Sequence, residues 1–355
     1  MRLLVLPGDG IGPEITDATL AVLRAVDTAL GLSLELECRE VGLAALAAEG
    51  TTLPESVLAD ARSADGIILG PVSHHAYPPP EQGGRNPSGT LRIDLDLYAN
   101  LRPARSRSAL PSPVGPFDLV IVRENTEGFY ADRNMAVGSG EFMPTPDVAL
   151  SVRKITSAGS RRVALVAFEL ARTRRRQVTA VHKANVLRLS EEVFLREVHA
   201  VAAEHPDVTL DEVLVDAAAA HLVRQPGRFD VMVTTNMFGD ILSDEASELA
   251  GGLGLAPSLN AGDAHALAQA QHGSAPDIAG QDRANPTSLI LSTAMLLRWL
   301  GSRAEDGGAS LLLAADRVDA AVEAALADPE GRTADLGGPL GTRAFGERVA
   351  ALVGG

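Results

Sequence analysis

Thr234-Thr235-Asn236-Met237-Phe238-Gly239-Asp240-Ile241-Leu242-Ser243-Asp244-Glu245 is the clearest fold signal in this chain. The β-branched run from Val231 to Thr235 reads as a buried strand. Asn236 and Gly239 read as a turn, and Ile241, Leu242 and Leu249 then give a helical period. Asp240 and Asp244 lie four residues apart, so one helix face carries both carboxylates. Two like charges at that spacing repel, modestly in water and more strongly in a cleft. They are either a solvated acidic first turn, which the helix dipole favours, or half of a Mg²⁺ or Mn²⁺ site built from oxygen ligands. A strand-to-helix turn is where α/β proteins bind ligands.

Outward from this stretch the same alternation repeats. A strand at residues 3–6 enters the glycine-rich turn Pro7-Gly8-Asp9-Gly10-Ile11-Gly12-Pro13-Glu14. A dinucleotide fingerprint starting at Gly8 would need glycine at position 13, where Pro13 stands and suits a helix start instead. That helix is expected to stop at Gly31. Strands at 34–40 and 66–70, with a helix at 54–61 between them, argue for an α/β fold with a mostly parallel sheet covered by helices. Residues 71–90 read as a loop, with His74 and His75 as loop histidines. Residues 131–148, with Gly138, Gly140, Pro144 and Pro146, read as an irregular arm, and a helix is expected over 149–172. A helix is expected over 288–300, and the final helices, at 315–327 and 343–352, look structural.

The chain of 355 residues is long enough for two domains, and 46% hydrophobic content with 3% aromatics predicts an aliphatic core. A net charge of −15 argues against nucleic acid and anionic membranes as partners. No apolar run approaches a bilayer span. The chain enters a strand at Arg2, leaving no room for a signal peptide. One cysteine, Cys38, excludes an internal disulfide and fits a reducing cytoplasm. The run Arg172-Thr173-Arg174-Arg175-Arg176 reads as a solvated helix end.

Arg92, Arg102 and Arg123 lie near element ends. Each alone reads as surface arginine; together they can form a guanidinium cluster for a polycarboxylate. Lys183 follows the strand 178–182, where desolvation can make a lysine a base. Asp216 ends the apolar run Val213-Leu214-Val215 and is a third candidate metal ligand. The polar loop His272-Gly273-Ser274-Ala275-Pro276-Asp277-Ile278-Ala279-Gly280 with Asn285 can clasp a nucleotide, Asp277 accepting from ribose hydroxyls. An aspartate there favours NAD over NADP.

Taken together these motifs resemble the isocitrate/3-isopropylmalate dehydrogenase family of β-decarboxylating dehydrogenases, over nearly the whole chain. The most specific are Asn100-Leu101-Arg102-Pro103, Arg123-Glu124-Asn125-Thr126-Glu127-Gly128-Phe129-Tyr130, His182-Lys183-Ala184-Asn185, Gly239-Asp240 through Asp244, and His272 through Gly280. The resemblance implies a fold that is not Rossmann. Two α/β domains, residues 1–97 plus 253–355 and residues 98–252, would flank the active-site cleft. It implies a homodimer joined by the arm, with Lys183 and Asp216 reaching into the partner's cleft. Arg92, Arg102 and Arg123 would hold substrate carboxylates. Asp216, Asp240 and Asp244 would bind the cation, Lys183 would act as general base and Tyr130 as proton donor. Ile11, His272, Gly273, Ser274, Ala275, Asp277, Ile278 and Asn285 would bind NAD.

Substrate choice in such enzymes lies just before Leu91-Arg92. Here that segment reads Arg85-Asn86-Pro87-Ser88-Gly89-Thr90. Relatives acting on 3-isopropylmalate usually place two leucines where Ser88 and Gly89 stand. The loss of apolar surface, worth roughly 0.8 kcal/mol per methylene, argues for a hydroxy polycarboxylate of the isocitrate or homoisocitrate type, bound by Arg85, Asn86 and Ser88. 3-Isopropylmalate, (R)-malate and tartrate stay as alternatives. Gln269 replaces an acidic residue usual near the nicotinamide. A non-catalytic regulatory subunit is the rival class, and the intact set of arginines, Tyr130, Lys183 and three aspartates argues against it.

Overall fold

The computed structural model describes residues 1–130, 135, 140–304 and 308–354. Residues 131–134 and 136–139 of the expected arm, including Gly138, lie outside the described residues. Twelve strands are described: β1 (Arg2–Leu6), β2 (Glu35–Cys38), β3 (Gly66–Leu69), β4 (Ala99–Arg105), β5 (Asp118–Glu124), β6 (Glu141–Thr145), β7 (Val148–Ser151), β8 (Gln177–His182), β9 (Thr209–Leu214), β10 (Val231–Thr234), β11 (Leu259–Ala261) and β12 (Ala266–Gln269). Eleven α-helices are described with them: α1 (Gly12–Leu30), α2 (Leu43–Glu49), α3 (Glu55–Ser63), α4 (Pro87–Asp94), α5 (Ser157–Arg172), α6 (Arg188–Glu204), α7 (Val215–Arg224), α8 (Asn236–Leu249), α9 (Thr287–Gly301), α10 (Ala309–Ala327) and α11 (Thr342–Gly354).

Ten strands form one sheet in the order β2-β1-β3-β12-β11-β4-β5-β10-β8-β9. The pairs at both ends are parallel, and three central pairs, β12–β11, β11–β4 and β4–β5, are antiparallel. Parallel strands buried on both faces need continuous apolar runs, and Leu3–Leu6, Ile67–Leu69 and Val231–Val233 supply them, all essentially buried. One core packs α1, α9, α10 and α11 against the β1, β3 and β12 end through Ile15, Leu23, Leu289, Leu297, Val322 and Phe345. A second packs α5 and α6 against β5, β8 and β10 through Phe168, Phe194, Val163 and Val231.

The sheet register creates the site. Asn100 of β4 pairs with Arg123 of β5, so their side chains share a face, and Arg102, two residues on, shares it too. Helix α8 crosses that face. Gly239 permits the approach, because a Cβ there would stand 2.6 Å from Cγ of Arg123.

Several local expectations need correction. Asn236 and Gly239 are not a turn; they form the first turn of α8, which starts directly after Thr235. Residues 71–90 are not all loop. Asn86 accepts from the Gly89 N–H at 3.1 Å and caps α4, with Pro87 at its first position. The helix expected from 149 starts at Ser157, capped by Thr156, because Val148–Ser151 pairs with β6 as an exposed hairpin. Asp216 does not end a strand; it lies in the first turn of α7.

Candidate active site

Five of the expected residues converge beneath α8. Arg102, buried on β4, donates from Nη1 to Asp240 Oδ1 at 3.1 Å, to Ser243 Oγ at 2.7 Å and to Asp244 Oδ1 at 3.3 Å. Its Nε donates to Asn100 at 2.6 Å. Arg123, buried on β5, donates to Asn236 Oδ1 from Nε at 3.0 Å and from Nη2 at 2.6 Å, and it also pairs with Asp240. Tyr130 donates to Asp240 Oδ2 at 3.1 Å, and the Arg123 guanidinium lies 5.7 Å from the Tyr130 ring centre. The two carboxylates four apart on α8 are tolerated because two buried cations face them. Asp240 and Asp244 are still reachable, with side chains 36% and 53% exposed.

The electrostatics follow from this packing. Burial and the neighbouring Arg123 push the Arg102 guanidinium down to about 10, against the pull of Asp240 and Asp244, so it stays charged at neutral pH. Burial pushes the Asp240 carboxyl up, but Arg123, Arg102, the Tyr130 hydroxyl and Arg92 together hold it below the usual carboxylate value.

Tyr130 is fixed by the segment before it. The buried Glu124 carboxylate accepts from Thr126 N at 2.6 Å, Thr126 Oγ1 at 2.7 Å and Glu127 N at 2.8 Å. Gly128 exchanges two backbone hydrogen bonds with Lys154.

Arg92 sits on α4 beside a polar wall. Gln269, at the end of β12, accepts on Oε1 from Ser88 Oγ at 2.9 Å and from Arg92 Nη2 at 3.2 Å. Ser88 and Gln269 are both buried. The other two residues expected at the substrate are turned elsewhere. Arg85 pairs with Glu55 at 2.5 Å, and the Asn86 side chain is the α4 cap.

The residues expected at the cofactor follow β1 and β12 and precede α9. Ile11 N donates to Ser274 O at 2.8 Å, and Ser73 Oγ lies 2.7 Å from Ser274 Oγ. Gly10 is obligatory there: its φ is +59° and a Cβ would meet Ser274 O at 2.0 Å. His272 Nδ1 lies 2.9 Å from Gly273 O, so it carries the proton and leaves Nε2 as an acceptor. That Nε2 is buried with no partner, and burial lowers the imidazole pKa. Ala275 has φ +36°. Asp277 is exposed and Ile278 half-buried. Asn285 donates to Asp335 at 3.0 Å and accepts from Thr287 N at 3.0 Å.

Lys183 and Asp216 form a separate pair, Nζ to Oδ1 at 2.5 Å, and the lysine holds the Asp216 carboxyl below its usual value. Lys183 follows β8 and is half-buried within the chain. Among the described residues no three His, Cys, Asp or Glu side chains of one chain are gathered to hold a metal. Asp216 therefore does not join Asp240 and Asp244 within the chain. Sequence reasoning gave no individual role to Asn100, Ser243 or Gln271, which hydrogen-bond to Arg102 or Asp244. Gln271 Nε2 donates to Asp244 Oδ1 at 2.8 Å and to Ser247 Oγ at 3.1 Å.

Comparison with known proteins extends the picture. A family model described as isocitrate/isopropylmalate dehydrogenase matches residues 2–349. The chain is 42% identical over 352 residues to 3-isopropylmalate dehydrogenase of Methanothermobacter thermautotrophicus, covering 99% of this chain and 98% of that protein. It is 43% identical over 349 residues to isocitrate/homoisocitrate dehydrogenase of Thermus thermophilus, covering 98% and 97%. The crystal structure of isocitrate dehydrogenase from Methylococcus capsulatus superposes with a TM-score of 0.88 at 39% identity, covering 100% of this chain and 99% of that one.

Proposed function

Because the chain belongs to the isocitrate/isopropylmalate dehydrogenase family, we propose that it catalyses NAD- and Mg²⁺- or Mn²⁺-dependent oxidative decarboxylation of a (2R)-malate. The C3 substituent would be polar, of the isocitrate or homoisocitrate type. The observation that carries this substrate class is the wall of Ser88, Gln269 and Arg92. A hydroxyl, an amide and a guanidinium offer hydrogen bonds where an isopropyl group would need apolar contact. 3-Isopropylmalate is the second reading, favoured by the relative of that name at 42% identity.

The residues fit the two groups the family implies. Asp240 and Asp244 offer hard oxygen donors on one helix face, as Mg²⁺ and Mn²⁺ require. Asp216 would come from the second subunit. The orphaned Nε2 of His272 beside the Ile11–Ser274 contact fits a nucleotide that donates to it. When bound, NAD⁺ supplies the hydride acceptor at substrate C2 and the cation supplies the Lewis acid.

The protein's own groups do the rest. Arg92, Arg102 and Arg123 bind and orient the substrate carboxylates. Lys183 of the second subunit takes the proton of the C2 hydroxyl, and Tyr130 gives a proton to C3 once CO₂ has left. The shared site needs a homodimer. Phe142, Met143 and Leu150 on the β6–β7 hairpin, and Leu189 and Ile241 on α6 and α8, are exposed apolar side chains that support one. The separate cores at the two ends of the sheet support two domains, residues 1–97 plus 253–355 and residues 98–252, around the cleft. The lone exposed cysteine supports a cytoplasmic setting.

The test is NADH formation at 340 nm with Mg²⁺ or Mn²⁺, using isocitrate, homoisocitrate, 3-isopropylmalate, (R)-malate and tartrate. Preference for a tricarboxylate is expected. Preference for 3-isopropylmalate would refute the polar-wall reading and establish the second one.

A further inference from the structure

We propose that Gln271 is a positioning residue that couples NAD binding to cation binding, by bridging the nucleotide loop to the metal helix. This inference rests on the reading of Asp240 and Asp244 as cation ligands and of residues 272–278 as the nucleotide loop.

Gln271 directly precedes His272, and Ala270 separates it from the end of β12 at Gln269. Its backbone N–H is held by Ser288 Oγ of α9 at 3.2 Å. Its side chain leaves that side and reaches α8, where Nε2 donates to Asp244 Oδ1 at 2.8 Å and to Ser247 Oγ at 3.1 Å. One residue thus ties the start of the nucleotide loop to a carboxylate of the metal helix. The direction of the amide is fixed by chemistry. An ionised carboxylate only accepts, so the –NH₂ must face Asp244 and the carbonyl must face away. The Oε1 atom is buried and has no partner. A buried amide oxygen without a donor is a cost the structure bears to keep the –NH₂ on Asp244.

The consequence is thermodynamic. Arg102 and Gln271 both donate to Oδ1 of Asp244, which orients the carboxylate before a cation arrives. Any ligand that fixes the backbone around His272 also fixes the Gln271 amide, and through it Asp244. Linkage then requires that cation binding favour the nucleotide by the same factor.

The experiment uses the full-length protein in its native assembly. Mn²⁺ binding is measured by the EPR signal of free Mn²⁺ with and without saturating NAD⁺, and NAD⁺ binding by calorimetry with and without Mn²⁺. Wild type should bind each ligand about fivefold or more tightly in the presence of the other. In Q271V that factor should fall to within about twofold of unity, while each ligand alone still binds. Q271M keeps the side-chain length without the amide, should behave like Q271V, and guards against a Q271V variant that does not fold. A wild-type factor retained in both variants, or no coupling in wild type, would overturn the proposal while leaving both sites standing. Absence of any Mn²⁺ binding to wild type would instead overturn the cation-site reading, and the coupling with it.

Discussion

Replacing Gly239 with alanine should cripple catalysis while barely touching stability. The added Cβ would stand 2.6 Å from Cγ and 2.7 Å from Cβ of Arg123. Carbon atoms in contact prefer about 3.5–4.0 Å, so the two must separate by about 1 Å. Arg123 is poorly able to give way. The crowded atoms are at the root of its side chain, and its backbone is paired on both sides, with Asn100 and with Thr234. The displacement therefore reaches the guanidinium and its bonds to Asn236 and Asp240. Overpacking costs about 1–3 kcal/mol, but alanine gains about 1 kcal/mol over glycine inside a helix. At roughly 2.1 cal/mol/K per residue, the net cost over 355 residues lowers Tm by no more than about 3 °C. A misplacement of about 1 Å at a substrate-orienting group costs about 100-fold in rate. The assay pairs a thermal melt with kcat/KM for the preferred hydroxy acid. A kcat/KM within threefold of wild type, with the melt unchanged, would refute the role given to Arg123.

Three further outcomes are expected. Lys183→Ala should reduce turnover by about 10²- to 10⁴-fold with substrate binding retained in calorimetry; unchanged turnover would remove Lys183 as the base. Ser88→Leu replaces the buried hydroxyl bound to Gln269 with a side chain worth about 1.5–3 kcal/mol of apolar burial. It should raise the kcat/KM ratio of 3-isopropylmalate to isocitrate at least about tenfold, and an unmoved ratio would place the C3 pocket elsewhere. The Asp240 carboxyl is held below its unfolded value near about 3.9, so its stabilisation is complete above that pH and is lost as the pH falls through the lower folded value. Urea melts should show D240N less stable than wild type at pH 7, with the gap closing below about pH 4; a gap independent of pH would contradict the charge pairing.

Much of this was legible in the residues. The strand-to-helix alternation shows in the apolar runs around Leu3, Ile67 and Val231, because parallel strands advertise themselves by continuous burial. The antiparallel centre does not show. Leu259 pairs with Leu101 across 158 residues of chain, and nothing local to either stretch encodes that meeting. Helix α4 was hidden in a Pro- and Gly-rich segment, although Asn86-Pro87 is a start signal in hindsight. The arginines and aspartates stand out by type and spacing. Gln271 does not, since an uncharged amide acquires meaning only once its loop lies beside α8.

The position of β12 has a consequence for how the chain is made. It lies between β3 and β11 and pairs Leu267 with Ile67, two hundred residues away. The end of the sheet begun by β1, β2 and β3 therefore waits, its β3 edge bare, until about three quarters of the polypeptide has left the ribosome, since domains fold as units during synthesis. The other end, β5, β10, β8 and β9, needs only residues 118–234 to pair its strands. The middle of the gene product can thus mature first, and a truncation before Ala266 would leave an unpaired, aggregation-prone edge at its amino-terminal end.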